Sequence, residues 1–361
     1  MLDFLMNEPQ RVVAVEDNAV SAATMEEALR SSSVSVGSFS SCFWGSRDTD
    51  EFAEQLLHIE RKGPEAEPPA PDLAGMVGDA TVIMSHVSPV PRSIIEQAPN
   101  LRAIFSCRGG LENIDIDVAS EHGVAVVNVI RNAIPVAEYA LGMIIALTRN
   151  IGESHRALMA GEWRKSYPNS AFTSTLGNLT VGLAGMGNIG IEVATRLKAL
   201  GVPMIAHDDY LDRERLDRNG LSDVEMTSTL EELFERADVV SLHLRLTPET
   251  EHMIDKRYFS RMKPTAYFVN TARGGLVNQE DLLDVLRRHA IAGAALDVFD
   301  EEPLEATSGF QELDNVLITS HLAGATVDAI PRAPHLLMRE VEKILHQGTV
   351  ERIVNRQALG L

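Results

Sequence analysis

Residues 180–190, T-V-G-L-A-G-M-G-N-I-G, constrain the fold of this chain more than any other stretch. A short apolar run breaks into a turn with glycines at 185, 187 and 190. Ile191, Ala194, Leu197 and Leu200 then recur at helical spacing, and Gly201 stands where a helix would stop. Strand, glycine turn and helix in direct succession open a βαβ unit. The pattern then repeats. P-M-I-A-H (203–207), D-V-V-S-L-H-L (238–244), T-A-Y-F-V-N (265–270), A-G-A-A-L-D (292–297) and V-L-I-T-S (316–320) read as strands. Ser228 followed by Glu231 predicts a capping box that opens a helix running to about Arg236. Asn278 predicts the cap of a helix through Leu282, Val285 and Leu286. Strands and helices alternating at these lengths imply a doubly wound parallel α/β sheet with right-handed crossovers.

The earlier half is less regular. R-V-V-A-V (11–15), A-T-V-I-M-S (80–85), R-A-I-F-S (102–106) and V-A-V-V-N (124–128) read as strands, so a second, smaller α/β domain is expected. A chain of 361 residues is long enough for about two cores. Val136 to Arg149 reads as a helix long enough to bridge the domains. The terminal pattern at Leu336, Leu337, Val341, Ile344 and Leu345 reads as a helix returning to the first domain. The proline-rich stretch 61–72, R-K-G-P-E-A-E-P-P-A-P-D, predicts an exposed excursion.

The glycine turn has a chemical reading as well. Glycines let a backbone approach a pyrophosphate, which then lies at the positive end of a helix. Asp208 ends the next strand 18 residues beyond Gly190, where a carboxylate accepts hydrogen bonds from ribose hydroxyls and repels a 2′-phosphate. Asp209 adds to that repulsion, and Arg213 is the nearest base downstream. NAD is therefore expected rather than NADP. The bland alternative is a glycine-rich turn without a ligand.

Ligands of open parallel sheets bind beyond the carboxyl ends of the strands. Arg273, in N-T-A-R-G-G, follows one strand; Asp297 and Glu302, in D-V-F-D-E-E-P, follow the next; His321 follows V-L-I-T-S. A histidine has the proton affinity needed to exchange a hydroxyl proton near neutrality. A neighbouring carboxylate raises that affinity and fixes the tautomer. An arginine forks onto a carboxylate and polarises an adjacent carbonyl. Together these groups suit hydride transfer at a carbinol or carbonyl carbon. Taken singly, each has a plainer reading: a surface ion pair for Arg273, a solvated loop for Asp300-Glu301-Glu302. Gly274 and Gly275 read as room for substrate and cofactor to approach the backbone.

G-M-G-N-I-G, N-T-A-R-G-G-L-V-N, A-G-A-A-L-D-V-F-D-E-E-P-L and S-H-L-A-G-A-T together resemble the D-isomer-specific 2-hydroxyacid dehydrogenases over roughly residues 100–330. The resemblance implies an oxidoreductase with a Rossmann NAD domain at 134–324, inserted in a flavodoxin-like substrate-binding domain made of 1–133 and 325–361. It implies Arg273 as binder of the substrate carboxylate and carbonyl, His321 as acid–base and Glu302 as its partner. It further implies cofactor contacts from Gly185, Gly187, Asn188, Ile189, Gly190, Asp208, Leu244, Thr247, Thr271, Ala272, His321 and Gly324, with Asp297 on the nicotinamide amide. Substrate contacts would come from Arg108, Gly109 and Gly110 as well as Arg273; Arg108 could equally pair with Glu112. Family members are usually homodimers through the nucleotide domain.

Several features separate this chain from particular members. Arg245 stands where many have proline. The loop S-H-V-S-P (85–89) lacks the arginine of phosphoglycerate enzymes, and no regulatory domain is expected after the last helix, so phosphoglycerate is not the favoured substrate. Formate dehydrogenases carry Gln in place of Glu302. The alternative of another class is an NADH-binding dimeric corepressor of the C-terminal-binding-protein type, which keeps the Arg, Glu and His.

A net charge of −20 argues against nucleic acid and anionic membranes as partners. Cys42 and Cys107 are the only cysteines, too few and too far apart for a disulfide framework or a metal site. The N-terminus carries no signal-peptide pattern, and the longest apolar stretch is about half of what a membrane span needs. The expected setting is cytoplasmic, and the expected partner a small 2-hydroxyacid or 2-ketoacid.

Overall fold

A computed structural model describes residues 2–326 and 329–361. The chain divides into two compact units, Met1–Asn132 with Thr326–Leu361, and Ala133–Ala325. Each is built on one sheet whose strands all run parallel.

The first unit carries β1 (Gln10–Glu16), β2 (Val36–Phe43), β3 (Val82–Ser85), β4 (Ala103–Ser106) and β5 (Ala125–Asn128). Their spatial order is β2-β1-β3-β4-β5, the flavodoxin-like arrangement, so the winding reverses between β1 and β3. Four of these strands were legible as apolar runs. β2, V-G-S-F-S-S-C-F, was not, because it is an edge strand with mostly exposed serines and so lacks a buried face to pattern it. The terminal helix Ala333–Gln347 belongs to this unit, where Leu337, Met338 and Val341 share a core with Met25, Ala28 and Leu29. The proline-rich 61–72 stretch is the surface excursion expected of it from Gly63 on, with Glu65, Pro68, Pro71 and Asp72 exposed, and it is pinned to the core at one point. Arg61 and Lys62 end the helix Thr49–Lys62, Ala70 is buried, and the Trp44 Nε1–H donates to the Pro68 carbonyl. Proline density set the shape of the loop but left its carbonyls able to satisfy a buried indole.

The second unit carries β6 (Val181–Ala184), β7 (Met204–His207), β8 (Glu225–Met226), β9 (Val239–Leu242), β10 (Tyr267–Asn270), β11 (Gly293–Leu296) and β12 (Val316–Ile318). The order β12-β11-β10-β9-β6-β7-β8 is the Rossmann winding with one added strand, and it reverses between β6 and β9. Helix Ala133–Thr148 lies wholly in this unit, three residues ahead of its expected start, with Ala137, Ala140 and Ile144 in the core. The capping box at 228–231 is corrected by one residue. Thr229 is the cap, accepting from the Glu232 N–H, while the Glu232 carboxylate reaches back to the Ser228 N–H. Asn278 caps Gln279–Arg287 through the Asp281 N–H. Among the described residues no single helix is long and apolar enough to cross a membrane.

Candidate active site

The register of the second sheet aligns Leu242, Asn270, Leu296 and Ile318 across β9 to β12. The segments that follow β10, β11 and β12 therefore leave the same edge side by side, and they carry Arg273, Asp297 with Glu302, and His321.

Asn270 shapes the first of these turns. Its Oδ1 accepts from the Ala272 N–H at 3.0 Å, and its Nδ2 donates to the Arg273 carbonyl at 2.8 Å. Arg273 is exposed, with Nη1 donating to its neighbour's carbonyl at 2.7 Å. The turn behind it is pressed against the next loop: a Cβ on Gly274 would lie 1.9 Å from the Phe299 carbonyl carbon. A Cβ on Gly275 would meet Leu246 at 3.1 Å. The places where side chains would lie at these glycines are taken by the protein's own loops. Their absence of side chain sets the arginine loop against the glutamate loop.

Glu302 uses both carboxylate oxygens. Oε1 accepts from the Phe299 N–H at 2.9 Å, and Oε2 lies 2.7 Å from His321 Nδ1. Burial opposes ionisation of Glu302, but the bonds from His321 and Phe299 and the charge of Arg273 hold its pKa below the usual carboxylate range. The hydrogen bond to Glu302 raises the pKa of His321; burial and Arg273 oppose that rise. A carboxylate accepts only, so Nδ1 carries the proton and Nε2 is the ring atom free to exchange one. His321 sits at φ +54, a left-handed conformation costly for a residue with a side chain and concentrated at functional sites.

Asp297 holds that conformation. Its Oδ1 accepts from the Thr319 hydroxyl at 2.7 Å and the Leu322 N–H at 2.9 Å, its Oδ2 from the Ala323 N–H at 2.8 Å. Its backbone carbonyl accepts from the His321 N–H at 2.8 Å. Asp297 is fully buried, and its carboxylate is turned onto the histidine loop. Thr319, which sequence reading missed, supplies one of those bonds.

The glycine turn lies at the same edge, after β6. A Cβ on Gly190 would sit 2.1 Å from the Gly185 carbonyl oxygen, so only glycine lets this helix start so close to the strand. Helix Asn188–Ala199 begins at Gly187 without a side-chain cap, leaving its first N–H groups for an anion. Asp208 accepts from the Met186 N–H at 2.7 Å and the Tyr210 N–H at 2.8 Å, so it shapes the turn as well as facing it. Arg215, not Arg213, brings a guanidinium here, at 2.6 Å from Asn188 Oδ1. His243 after β9 and Thr271 after β10 keep shielded polar atoms without partners, and burial lowers the His243 pKa to about 4. Neutral donors and acceptors without partners at this sheet edge, beside an uncapped helix and the Asp208 carboxylate, fit a dinucleotide. Replacing Gly190 by alanine is expected to weaken NADH binding about 100-fold or more, read by fluorescence titration, and to lower the melting temperature, because the turn has no room to relax. An alanine variant that binds NADH normally would remove this turn from the site.

The remaining expected contacts are less exposed to a ligand. Leu244 and Ile189 pack on the core, Thr247 is tied to Thr250 by a 2.8 Å bond, Ala272 is buried and Gly324 is half-buried. In the first unit the Gly109 carbonyl accepts from Asn128 at 3.1 Å. Arg108 lies 2.9 Å from Glu60 and 3.6 Å from Glu112; beside it, a Cβ on Gly110 would clash with Glu112. The weighed pairing with Glu112 is thus present, joined by a second carboxylate that sequence reading did not bring in.

The family description "D-isomer specific 2-hydroxyacid dehydrogenase, NAD binding domain" matches residues 141–323. A glyoxylate reductase of Thermofilum pendens is 36% identical over 274 residues, covering 75% of this chain and 79% of that one. A D-3-phosphoglycerate dehydrogenase of Methanocaldococcus jannaschii is 36% identical over 287 residues, covering 79% of this chain. The chain spans only 53% of that relative's length. The crystal structure of a glyoxylate reductase from Paecilomyes thermophila superposes with a TM-score of 0.70 at 25% identity, covering 97% of this chain and 99% of that one.

Proposed function

Because the chain belongs to the D-isomer-specific 2-hydroxyacid dehydrogenase family, we propose that it interconverts a small D-2-hydroxyacid and its 2-ketoacid, with His321 as the acid–base group. NAD(H), when bound at the glycine turn, supplies or takes the hydride. His321 donates its Nε2 proton to the carbonyl oxygen in the reducing direction and keeps its Nδ1 proton, which it donates in a hydrogen bond to Glu302. Glu302, held ionised, stabilises the imidazolium that is needed before the step and regenerated after it. Arg273 presents a planar fork at the same edge, suited to a carboxylate and the carbonyl oxygen beside it. The observation that carries this reading is the 2.7 Å Glu302–His321 pair with the charge of Arg273 acting on both.

The test is NADH oxidation by the purified full chain against glyoxylate, hydroxypyruvate, pyruvate, and longer and phosphorylated 2-ketoacids. Turnover of at least one, with a D-configured product, is expected. Tight NADH binding with no turnover of any would favour the corepressor-type reading.

The pH dependence follows from the raised pKa of His321. Ketoacid reduction needs the imidazolium, so it persists above the ordinary histidine range and falls as pH rises through the raised value. Hydroxyacid oxidation needs the neutral ring and rises over the same interval. Glu302→Gln removes the charge that raises the pKa and leaves at most a neutral acceptor, so burial and Arg273 lower it against Asp297 alone. The descending limb of reductive kcat/KM is expected to move to lower pH, as measured by steady-state pH profiles; an unmoved limb would mean another group titrates.

A further inference from the structure

A third segment joins the loops that carry Arg273 and Glu302. It follows β9, is centred on His252, and runs beside the far end of the arginine turn as a short ladder. The His252 N–H donates to the Gly275 carbonyl at 2.7 Å, the Ile254 N–H to the Leu276 carbonyl at 3.0 Å, and the Asn278 N–H to the Ile254 carbonyl at 2.9 Å. Ile254 is buried, which roots the ladder in the core of the second unit. The His252 ring reaches the glutamate loop, with Nε2 2.8 Å from Asp300 Oδ2. A carboxylate only accepts, so Nε2 carries the proton of that bond. His252 thus holds the chain two residues past Arg273 with its backbone and two residues short of Glu302 with its side chain.

An exposed pair of this kind ordinarily contributes little to stability, so its use lies in where it is placed. At φ +50 His252 occupies a left-handed turn position that glycine would fill at less cost, so the ring is kept there against a backbone penalty. The glutamate loop, in turn, has few other ties. Among the described residues, the side-chain hydrogen bonds that connect residues 300–304 to another element are two, Asp300 to His252 and Glu302 to His321. Packing holds this stretch at Phe299, just before it, and at Leu304. Glu301 and Pro303, on either side of Glu302, are exposed and add none. Loss of the Asp300 bond would leave Glu302 on a loop held at its ends and free to draw back from the imidazole.

We propose that His252, acting through Asp300, is a positioning residue that holds the Glu302 loop where the carboxylate meets His321. The proposal deepens the dehydrogenase reading and rests on it wherever turnover is the readout. Its consequence is that the proton affinity of His321 depends on a bond that His321 does not itself make. Charge alone gives a different pattern. Through space, removing Asp300 would lower the pKa of a nearby histidine, whereas removing His252 would leave it or raise it. A lost tie lowers it in both cases, because in both Glu302 is less well held.

The experiment compares His252→Ala, Asp300→Ala and the double variant with the wild type, using the full chain and two measurements. One is a histidine NMR titration, with the His321 signal identified by its absence from His321→Ala. The other is the steady-state pH profile of ketoacid reduction. Both single variants are expected to move the His321 titration and the descending limb of reductive kcat/KM to lower pH, with kcat/KM on that limb falling about tenfold. The double variant should lose no more than the larger single, because either change breaks the same bond. His252→Gln, which keeps a donor at the reach of Nε2, should recover most of the loss. Should His252→Ala disturb its turn, Asp300→Ala leaves residue 252 in place and tests the same bond. A lower melting temperature with both readings unmoved, opposite shifts in the two single variants, or additive losses in the double variant would overturn the proposal. If no ketoacid is turned over the dehydrogenase reading fails, and the NMR titration still decides this one.

Discussion

Replacing Arg273 by lysine is expected to lower kcat/KM for 2-ketoacid reduction by about 100- to 1000-fold while NADH affinity stays near that of the wild type. The magnitude is that of losing one directed donor to a developing oxyanion. Lysine keeps the charge, but its ammonium is a point donor on a flexible stem and cannot bind a carboxylate and a carbonyl oxygen in one plane. The local structure should survive the change. Arg273 is exposed, its side-chain bond among the described residues runs to the Ala272 carbonyl, and the turn is held by Asn270 and by the contact of Gly274 with Phe299. The measurement is steady-state kinetics beside a fluorescence titration of NADH. Activity close to wild type would make Arg273 a surface cation. Lost NADH binding would move it into the cofactor site instead.

His321→Ala should cost more, about 100- to 10,000-fold in kcat, the range for removing a positioned acid–base group. The His321 loop is anchored by Asp297 through its backbone and Thr319, and none of those bonds uses the imidazole. The fold and NADH binding should therefore hold. The variant should also lose the pH limb assigned to the imidazolium, which a merely structural histidine would not control. A variant retaining wild-type kcat with the limb in place would sink the assignment. Asp297→Asn separates anchoring from chemistry. It weakens acceptance from the Leu322 and Ala323 N–H groups, so kcat should fall with a lower melting temperature, in contrast to His321→Ala.

How much of this could be read from the chain depended on range. The glycine turn, Asn278 as a cap and the strand ends before Arg273, Asp297 and His321 are set within a few residues, and their periodicity is visible. The Thr229 cap lay one residue from its expected place because Ser228 and Thr229 offer equivalent hydroxyls, and only the path of the chain chooses between them. The neighbour of Gly274 was not legible for a different reason. Its open side is closed by Phe299, 25 residues on, and nothing near Gly274 announces that neighbour.

The sequence by itself determined the α/β class, the nucleotide turn and the fact that an arginine, two acids and a histidine follow consecutive strands. Those facts are local, written in side-chain period and in where each strand stops. The resemblance implied Glu302 as the partner of the histidine; only the tertiary structure shows how the two acids divide, with Glu302 at the ring and Asp297 bonded to the loop beneath it. It also decided that Arg108 of the first unit meets Glu60. Ion pairs form between groups brought together by packing, across up to 48 residues for Arg108 and Glu60, and no local pattern encodes that meeting.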